Sequence, residues 1–366
     1  MTAPTNRAAY LTHEQAYPLS VREAPFPALE PNQVIIKTAA IAVNPVDYVI
    51  QDQSIPFPAP YYPWIPGHDV AGTVTHTTHP AYPAGTRVLG LALAFDSKDA
   101  GAAGFQAYVK LSPPFIARLP DGVSFEEACV LPLATATACA GLFEEANLGL
   151  QYPSAAAAAA REAGARAEGE GEGEGERGVV VVWGAASSVG SSAVQLCANA
   201  GYDVFATAGA GNAAYAKERL GAAWVFDYKK EGVVKEVLEA LKGRRFAGVF
   251  DAISLGGAIE ACVNIAGRAE CEGAKRCVAT VRGLPEELEG GLSELGVRTN
   301  RIWGSMAMHS PVGKAVFEDF LPGALADGRF VPAPRPEVVG EGLENVQKAV
   351  DILKAGVSAK KLVVTL

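Results

Sequence analysis

The sequence predicts an α/β protein with a β-rich N-terminal part followed by a doubly wound parallel sheet. Residues 8–120 contain short β-type runs that proline and glycine interrupt. Residues 179–281 alternate strands with helical segments, the spacing typical of parallel sheets covered by helices. The length of 366 residues and a hydrophobic content of 49% allow two or three domains with substantial cores.

Composition excludes several classes of function. The net charge is −9 and no dense basic patch occurs, which argues against a nucleic-acid partner. The opening MTAPTNRAAYL lacks the apolar run of a secretory signal, and we expect no stretch near the ~20 apolar residues that span a membrane. Six cysteines without a C-x-x-C pattern predict free thiols and a cytoplasmic location.

In the N-terminal part, β-type residues predict strands at 33–43, 70–76, 85–91 and 104–111. Residues 124–146 turn helical, and Ser124 with Glu127 has the form of a capping box. Pro132 is expected to interrupt or kink this helix.

Residues 151–178 form a low-complexity insertion. Its alanine-rich part favours a helix. The Glu-Gly repeat has nothing to bury and repels itself, so we expect it to be flexible and solvated. We interpret the segment as a tolerated surface insertion rather than a binding element.

Beyond the insertion, five predicted strands alternate with helices. The strands are 179–183, 203–208, 223–228, 246–253 and 274–281. The helices are 188–200, 213–221, 232–242 and 257–267. A long helix at 312–328, a helix at 344–356 and a final strand at 359–366 complete the chain.

The turn WGAASSVG, residues 183–190, is a candidate nucleotide site. Ala185, Ser187 and Gly190 stand at the three glycine positions of a G-x-G-x-x-G fingerprint, so only the last glycine remains. Small residues still allow close backbone approach, and the hydroxyls of Ser187 and Ser188, followed by Val189, are available to a pyrophosphate at the helix N-terminus. The alternative is a close-packed turn without a ligand.

The end of the second predicted strand of this part, 203–208, indicates which nucleotide the site binds. An NAD site needs Asp or Glu about 20 residues beyond the loop for the ribose 2′-hydroxyl. Gly209 occupies that place, which leaves room for a 2′-phosphate and predicts NADPH. Lys217 and Tyr228 are the candidates to hold this phosphate, with Asn212 in support, although Lys217 also fits a plain surface lysine.

With these segments in view, the chain resembles the medium-chain dehydrogenase/reductase superfamily. The residues that carry the resemblance are VNPVDYVI (43–50), PGHDVAGTV (66–74), GTRVLG (85–90), LPLATATACAGL (131–142), WGAASSVGSSAVQL (183–196), LGAAWVFDYKK (220–230) and GVSAKKLVVTL (356–366). It is most similar to the zinc-free fungal enoyl reductase and quinone oxidoreductase-like branch. The resemblance implies a GroES-like catalytic domain at 1–130, completed by 325–366, and a Rossmann cofactor domain at 131–324.

The residues at the family's zinc-ligand positions predict that zinc is absent. A catalytic zinc in this family takes a Cys, the His of a G-H-E motif and a further Cys, and one His alone cannot hold it. Asn44 stands at the first position, His68 remains in GHD, and Thr135 and Thr137 stand near the third. Cys139 is the nearest thiol, and the segment 90–104 lacks the four cysteines of the structural zinc. We therefore interpret His68 as a structural, hydrogen-bonded histidine.

Without zinc, the chemistry implied is hydride transfer from NADPH to an electron-poor C=C of an enoyl, enone or alkenal substrate, or to a quinone. The pocket is expected between the two domains, with Asn44 and Thr137 near the nicotinamide or the substrate carbonyl. Tyr48 is expected either to line the wall of this pocket or to donate a proton. Asp47 is expected either to be catalytic or to stabilise the turn. Val49 stands where relatives often carry Lys or Tyr, which leaves the proton donor open.

Two further cofactor contacts are expected from Ser254 and Gly304, since the segments 279–283 and 304–310 are expected to approach the nicotinamide through their backbone. Two other functions stay open. One is a trans-acting enoyl reductase that meets an acyl-carrier protein of a polyketide synthase. The other is a non-catalytic NADPH-binding protein.

Overall fold

The computed structural model describes residues 4–53, 62–163, 178–271 and 273–366. The chain divides into two compact units. Unit 1 comprises Met1–Leu133, Phe317–Ala326 and Pro332–Leu366, and unit 2 comprises Ala134–Val316 and Asp327–Val331. The Glu-Gly repeat, predicted to be flexible, lies outside the described residues.

Unit 1 is built on a seven-stranded sheet. Its strands are β3 (Val34–Ala42), β4 (Asp69–Thr77), β5 (Arg87–Leu91), β6 (Tyr108–Leu111), β7 (Ile116–Arg118), β14 (Arg335–Glu341) and β15 (Lys360–Thr365). They lie in the order β14-β15-β3-β4-β5-β7, with β6 also paired to β3. A separate antiparallel pair, β1 (Asn6–Tyr10) and β2 (Ser20–Ala24), was not predicted from the sequence.

The register of this sheet places three chain segments side by side. Strand β3 pairs antiparallel with β4, Ala42 opposite Asp69, and also with β15, Ala42 opposite Val363. The residues that follow β3, the start of β4 and the middle of β15 therefore meet at one end of the sheet.

The helices of unit 1 are short. They are α1 (Pro45–Gln53), α2 (Ala94–Ser97), α3 (Phe125–Ala128), α11 (Leu321–Ala326) and α12 (Val346–Ala355). The predicted capping box is confirmed, because the Ser124 hydroxyl accepts from the Glu127 N–H at 3.2 Å and the Glu127 carboxylate accepts from the Ser124 N–H at 3.1 Å. The predicted interruption at Pro132 is confirmed: α3 ends at Ala128, and α4 (Pro132–Phe143) begins at this proline.

One stretch of the chain bears on the membrane expectation. Among the described residues, Phe125–Phe143 has the length, 19 residues, and the hydropathy of a membrane-spanning helix. Its most apolar window is 78% buried inside the protein. A core helix of a folded domain meets the same criteria, so this stretch is core.

Unit 2 contains a parallel sheet of six strands. They are β8 (Val179–Trp183), β9 (Asp203–Ala208), β10 (Trp224–Asp227), β11 (Phe246–Asp251), β12 (Cys277–Thr280) and β13 (Arg298–Arg301). Their order is β10-β9-β8-β11-β12-β13, the doubly wound dinucleotide-binding order. All five residues of β8 are buried, as expected of a central strand with both faces covered. The doubly wound prediction is confirmed, with β13 as a sixth strand beyond the five predicted.

Further helices belong to unit 2. They are α5 (Ala155–Glu162), α6 (Ser188–Asn199), α7 (Val233–Leu241), α8 (Ala258–Arg268), α9 (Glu289–Leu295) and α10 (Pro311–Lys314). Of these, α6, α7 and α8 pack on the sheet. The alanine-rich part of the insertion is thus helical, as predicted. The segments Tyr215–Arg219 and Ala315–Phe320 are π-helical, the second joining α10 to α11. All six cysteines are free thiols, as predicted.

Candidate functional site

The strand order of unit 2 reverses between β8 and β11, which are neighbours in the sheet. In open α/β sheets, ligands bind beyond the carboxyl ends of the strands at such a switch point. The turn after β8 begins at Gly184, whose φ is +85°. A Cβ there would lie 2.2 Å from Cγ1 of Ile253, so only glycine fits this position.

The first turn of α6 is packed directly on this loop. A Cβ on Gly190 would lie 2.2 Å from the carbonyl oxygen of Gly184. Ser188 and Val189 are the first two residues of α6, and their N–H groups precede the first intrahelical acceptor. These N–H groups and the positive end of the helix dipole suit a phosphate.

The structure places Ser187 at the start of α6. This residue is the N-cap of α6, and its hydroxyl accepts from the Gly190 N–H at 3.0 Å. The same hydroxyl donates its only proton to the carbonyl of Gly184 at 2.9 Å. Ser187 therefore shapes the turn and has no proton to donate to a phosphate.

Ala185 is fully buried, and its backbone hydrogen bonds hold the turn in place. Its N–H donates to the Thr207 carbonyl at 2.9 Å, and its carbonyl accepts from the Ser191 hydroxyl at 3.0 Å. Tyr215 bonds the same Ser191 hydroxyl at 3.0 Å. The turn is thus fixed to β9 and to the segment that follows it.

Beyond the carboxyl end of β9, Gly209 lies beside two side chains. A Cβ on Gly209 would lie 3.7 Å from Cε1 of Tyr228 and 4.0 Å from Cε of Lys229. The Lys229 ammonium lies 5.9 Å from the centroid of the Tyr228 ring, and both side chains are exposed. Asn212 is half-buried, and its N–H donates to the Gly209 carbonyl at 2.8 Å. Sequence reasoning named Tyr228 and Asn212 and missed Lys229.

Lys217 is not among the side chains nearest to Gly209, and its expected contact with the 2′-phosphate stays a prediction. It lines a surface cavity of about 460 Å³ together with Ala213, Ala214, Ala223, Trp224 and Val225. Trp224 opens β10 and pairs with Phe205, near the start of β9. Lys217 therefore shares a cavity with the start of β10.

The loop after β11 is held by a buried carboxylate. Asp251 is fully buried and accepts from the N–H groups of Ile253 and Ser254 at 3.0 and 2.9 Å and from the Ser254 hydroxyl at 3.0 Å. Burial raises the pKa of Asp251, although these three hydrogen bonds oppose it. Ser254, predicted to bind cofactor, is buried with φ +54° and orders the loop through Asp251. Gly304 is buried in the turn beyond β13.

Unit 1 holds a buried polar network at the end of its sheet where β3, β4 and β15 meet. The Lys361 ammonium lies 3.0 Å from Oδ2 of Asp69 and donates to Oδ1 of Asn44. The Asn44 amide donates to the same Asp69 oxygen at 2.8 Å, and the Leu133 N–H donates to the other at 2.6 Å. Lys361 and Asn44 are each 3% exposed and Asp69 is 0% exposed. Asn44 therefore takes part in an internal ion-pair network, and its expected contact with substrate or nicotinamide stays a prediction.

Asp47 connects this network to His68. One carboxylate oxygen accepts from the Asn44 N–H at 2.7 Å, the turn-stabilising role that the sequence left open. The other lies 3.0 Å from Nδ1 of His68. Burial disfavours the charged imidazole, but the hydrogen bond and charge of Asp47, with the charges of Asp69 and Asp96, raise the pKa of His68 overall.

The structure also gives the surroundings of Tyr48, Thr137 and Cys139. Tyr48 is half-buried and packs on the core of unit 1. Thr137 is buried on α4 in unit 2, and its role beside Asn44 stays a prediction. The Cys139 thiol donates to the Ala136 carbonyl at 3.2 Å, and burial raises the pKa of this thiol. Throughout the described ranges, no three His, Cys, Asp or Glu side chains are grouped to hold a metal ion.

Two family models match the chain. Residues 30–121 match the alcohol dehydrogenase GroES-like domain, and residues 188–284 match the zinc-binding dehydrogenase model. Dehydrogenase pigH of Monascus ruber is 40% identical, with 99% of this chain and 100% of that protein covered. Trans-enoyl reductase himH of Aspergillus japonicus is 32% identical, with 100% of this chain and 98% of that protein covered.

Solved structures share the fold. A quinone oxidoreductase of Pseudomonas syringae has a TM-score of 0.70 at 20% identity, with 99% of this chain and 100% of that one covered. The CurK enoyl reductase has a TM-score of 0.72 at 18% identity, with 98% and 99% covered. Each likeness extends over both units.

Proposed function

Because this chain belongs to the medium-chain dehydrogenase/reductase superfamily, in the branch of fungal dehydrogenases and trans-enoyl reductases, we propose that it is a zinc-independent NADPH-dependent reductase. It transfers hydride to the electron-poor C=C of an enoyl, enone or alkenal substrate, or to a quinone. Membership in the superfamily makes the chain an oxidoreductase that uses NAD(P)H. The choice of NADPH, the substrate class, the absence of zinc and a cytoplasmic location are our proposals.

The buried network around Asp69 is the observation that carries the proposal. A catalytic zinc needs about three protein ligands and an open position. Here Asn44 stands at the first ligand position, and its side-chain amide is bonded to Asp69 and Lys361. His68 is left with an amide and threonine hydroxyls at the other ligand positions, so the donor set does not fit zinc. We derive no step through a metal.

The residues of unit 2 fit a dinucleotide. Gly184 and Gly190 form a turn that a Cβ would fill, and the N–H groups of Ser188 and Val189 are free of intrahelical acceptors for a pyrophosphate. Backbone around Ser254 and Gly304 is proposed to face the nicotinamide. The cofactor supplies a hydride when bound, and the protein binds, orients and excludes water.

NADPH is proposed because β9 itself ends at Ala208, followed by Gly209, rather than in Asp or Glu; Asp227, opposite Ala208 on β10, accepts from the Lys229 N–H. Asp or Glu at the end of β9 would bond a ribose 2′-hydroxyl and repel a 2′-phosphate. Gly209 instead lies beside the phenol of Tyr228 and the stem of Lys229. A lysine ammonium and a hydroxyl are suitable donors to a phosphate dianion. We therefore assign the 2′-phosphate to Tyr228 and Lys229, with Asn212 in support, and replace Lys217 with Lys229.

The test is a screen of NADPH oxidation against enones, alkenals, enoyl thioesters and quinones, run with and without a metal chelator. We expect turnover with at least one class and no loss on chelation. The matched control is NADH at the same concentrations, which should react more slowly. Loss of activity on chelation, or restoration by zinc, would contradict the zinc-independent mechanism.

A second candidate function is a trans-acting enoyl reductase for a polyketide synthase. The names of relatives at 32% and 33% identity, himH and tndF, support it. It requires recognition of an acyl-carrier protein in addition to the acyl chain. Faster reduction of a carrier-bound enoyl chain than of its free thioester would favour this candidate. NADPH binding without turnover of any substrate would instead favour the non-catalytic alternative.

A further inference from the structure

One side chain of the unit 1 network reaches the surface. The His68 side chain is 15% exposed, whereas Asn44, Asp47, Asp69 and Lys361 are each exposed by 3% or less. Any chemistry that the network offers to a bound molecule must therefore pass through the imidazole of His68. The proposed function gives His68 no part in the reaction.

Asp47 fixes the orientation of the His68 imidazole. Oδ1 of Asp47 lies 3.0 Å from Nδ1 of His68. The other oxygen of Asp47 accepts from the Asn44 N–H at 2.7 Å, so the carboxylate cannot rotate without losing a buried bond. Nδ1 thus carries a proton toward Asp47, and Nε2 is the nitrogen left for a second partner. A carboxylate behind one ring nitrogen and a free second nitrogen is the geometry of a general acid or base.

The charges around His68 favour the imidazolium. Asp47 on α1, Asp69 on β4 and Asp96 on α2 are the acidic groups that act on it, and Lys361 on β15 neutralises Asp69. The nearby Cys129 thiol stays neutral because burial, with the charge of Asp69, places its pKa well above the ordinary value. The carboxylates outweigh the burial of the ring, so the pKa of His68 lies above 6.5.

We propose that His68 donates the proton that completes reduction of an α,β-unsaturated carbonyl substrate, with Asp47 as its positioning residue. This inference rests on the proposed function. Hydride adds to the β-carbon and the C=C electron pair moves toward the carbonyl, which gives an enolate and oxidised cofactor. The Nε2–H bond of His68 then breaks as a C–H bond forms at the α-carbon. The neutral imidazole regains its proton from water, so each cycle consumes one NADPH and one proton.

The first test needs no cofactor. Imidazole resonances of the cofactor-free protein are followed by NMR against pH. We expect the His68 resonance to titrate above 6.5 in the wild type and to move toward the ordinary value in Asp47→Asn. His76, which lies on β4 and is bonded to Thr75, is the internal control, and its resonance should be the same in the two proteins. A His68 pKa unchanged by Asp47→Asn would overturn the assigned dyad.

The second test uses an enone with a methyl group at the α-carbon, because protonation there creates a stereocentre. The wild type should give one enantiomer. His68→Gln should lower kcat about 100-fold, as loss of a general acid does, and give a mixture of enantiomers because water then protonates both faces. NADPH affinity, measured by fluorescence, should stay the same. His76→Gln is the control and should keep both the rate and the single enantiomer.

The outcomes separate this inference from the proposed function. A wild-type protein that reduces no enone would overturn both. An active wild type whose His68→Gln variant keeps its rate and its single enantiomer would overturn the role of His68 alone. A merely structural role would lower the thermal stability of His68→Gln without changing the enantiomer ratio.

Discussion

At the scale of single residues, the main difference between expectation and structure concerns Lys361. The sequence presents two adjacent lysines at the start of a strand that continues with buried residues. Since neighbouring side chains in a strand point to opposite faces, one of the two had to point toward the interior. Lys361 does so and pairs with Asp69, whereas Lys360 pairs with Glu337 at 2.7 Å near the surface. This alternation was the signal that could have identified Lys361.

Replacing Lys361 should destabilise unit 1 strongly. Lys361→Met leaves the carboxylate of Asp69 buried without its cation, a change that costs about 3–5 kcal/mol. Lys360→Met is the matched control, because its ion pair is 40% and 47% exposed. An exposed pair contributes about 0–1 kcal/mol. Urea denaturation of both variants measures the free energies of unfolding, and equal values would contradict the assigned ion pair.

The choice between Lys229 and Lys217 is also decided at this scale. Lys229→Gln should lower kcat/KM for NADPH about tenfold, the equivalent of one charge-assisted hydrogen bond at an exposed site, and leave NADH unchanged. Lys235→Gln, an exposed lysine on α7, is the control. The same measurement on Lys217→Gln compares the two lysines directly. A larger selectivity loss in Lys217→Gln than in Lys229→Gln would restore the sequence expectation.

At the scale of elements, local pattern predicted the alternation of unit 2 well. Each of the strands β8 to β12 lies within its predicted range, because buried β-branched and aromatic runs are recognisable without their neighbours. Strand β13, RTNR, was missed since both of its ends are exposed and its residues are polar. It becomes a strand only by pairing with β12.

The contact between α6 and its turn gives an element-scale prediction. In Gly190→Ala, the new Cβ would meet backbone atoms at 2.2, 2.8 and 3.0 Å, which cannot move aside as a side chain would. We expect a loss of stability of about 1–3 kcal/mol and weaker NADPH binding, because α6 must shift. Gly323→Ala is the matched helical control, since nothing lies within 4 Å of its Cβ position.

Thermal unfolding and NADPH titration by fluorescence check this prediction. The control should be neutral or slightly more stable, because alanine favours a helix over glycine. If Gly190→Ala binds NADPH as tightly as Gly323→Ala does, the turn at 184–190 is not the dinucleotide site.

At the scale of the whole molecule, similarity to known proteins extends over nearly the entire chain. The alignment with dehydrogenase pigH covers 99% of this chain and 100% of that protein. The C-terminal strand β15 nevertheless belongs to unit 1, where it pairs with β3 more than 300 residues earlier in the chain. Only this long-range pairing brings Lys361 beside Asn44 and Asp69.

The sequence by itself determined the βα alternation, the small-residue turn at 184–190 and the missing carboxylate at Gly209, because burial periodicity and residue size are local properties. The tertiary structure alone decided that Asn44 is committed to Lys361, that Ser187 caps α6, and that Lys229 rather than Lys217 lies beside Gly209. These outcomes depend on sheet register and on the direction in which each connecting segment returns. Register joins residues far apart in the chain, and no local pattern encodes which charges it brings together.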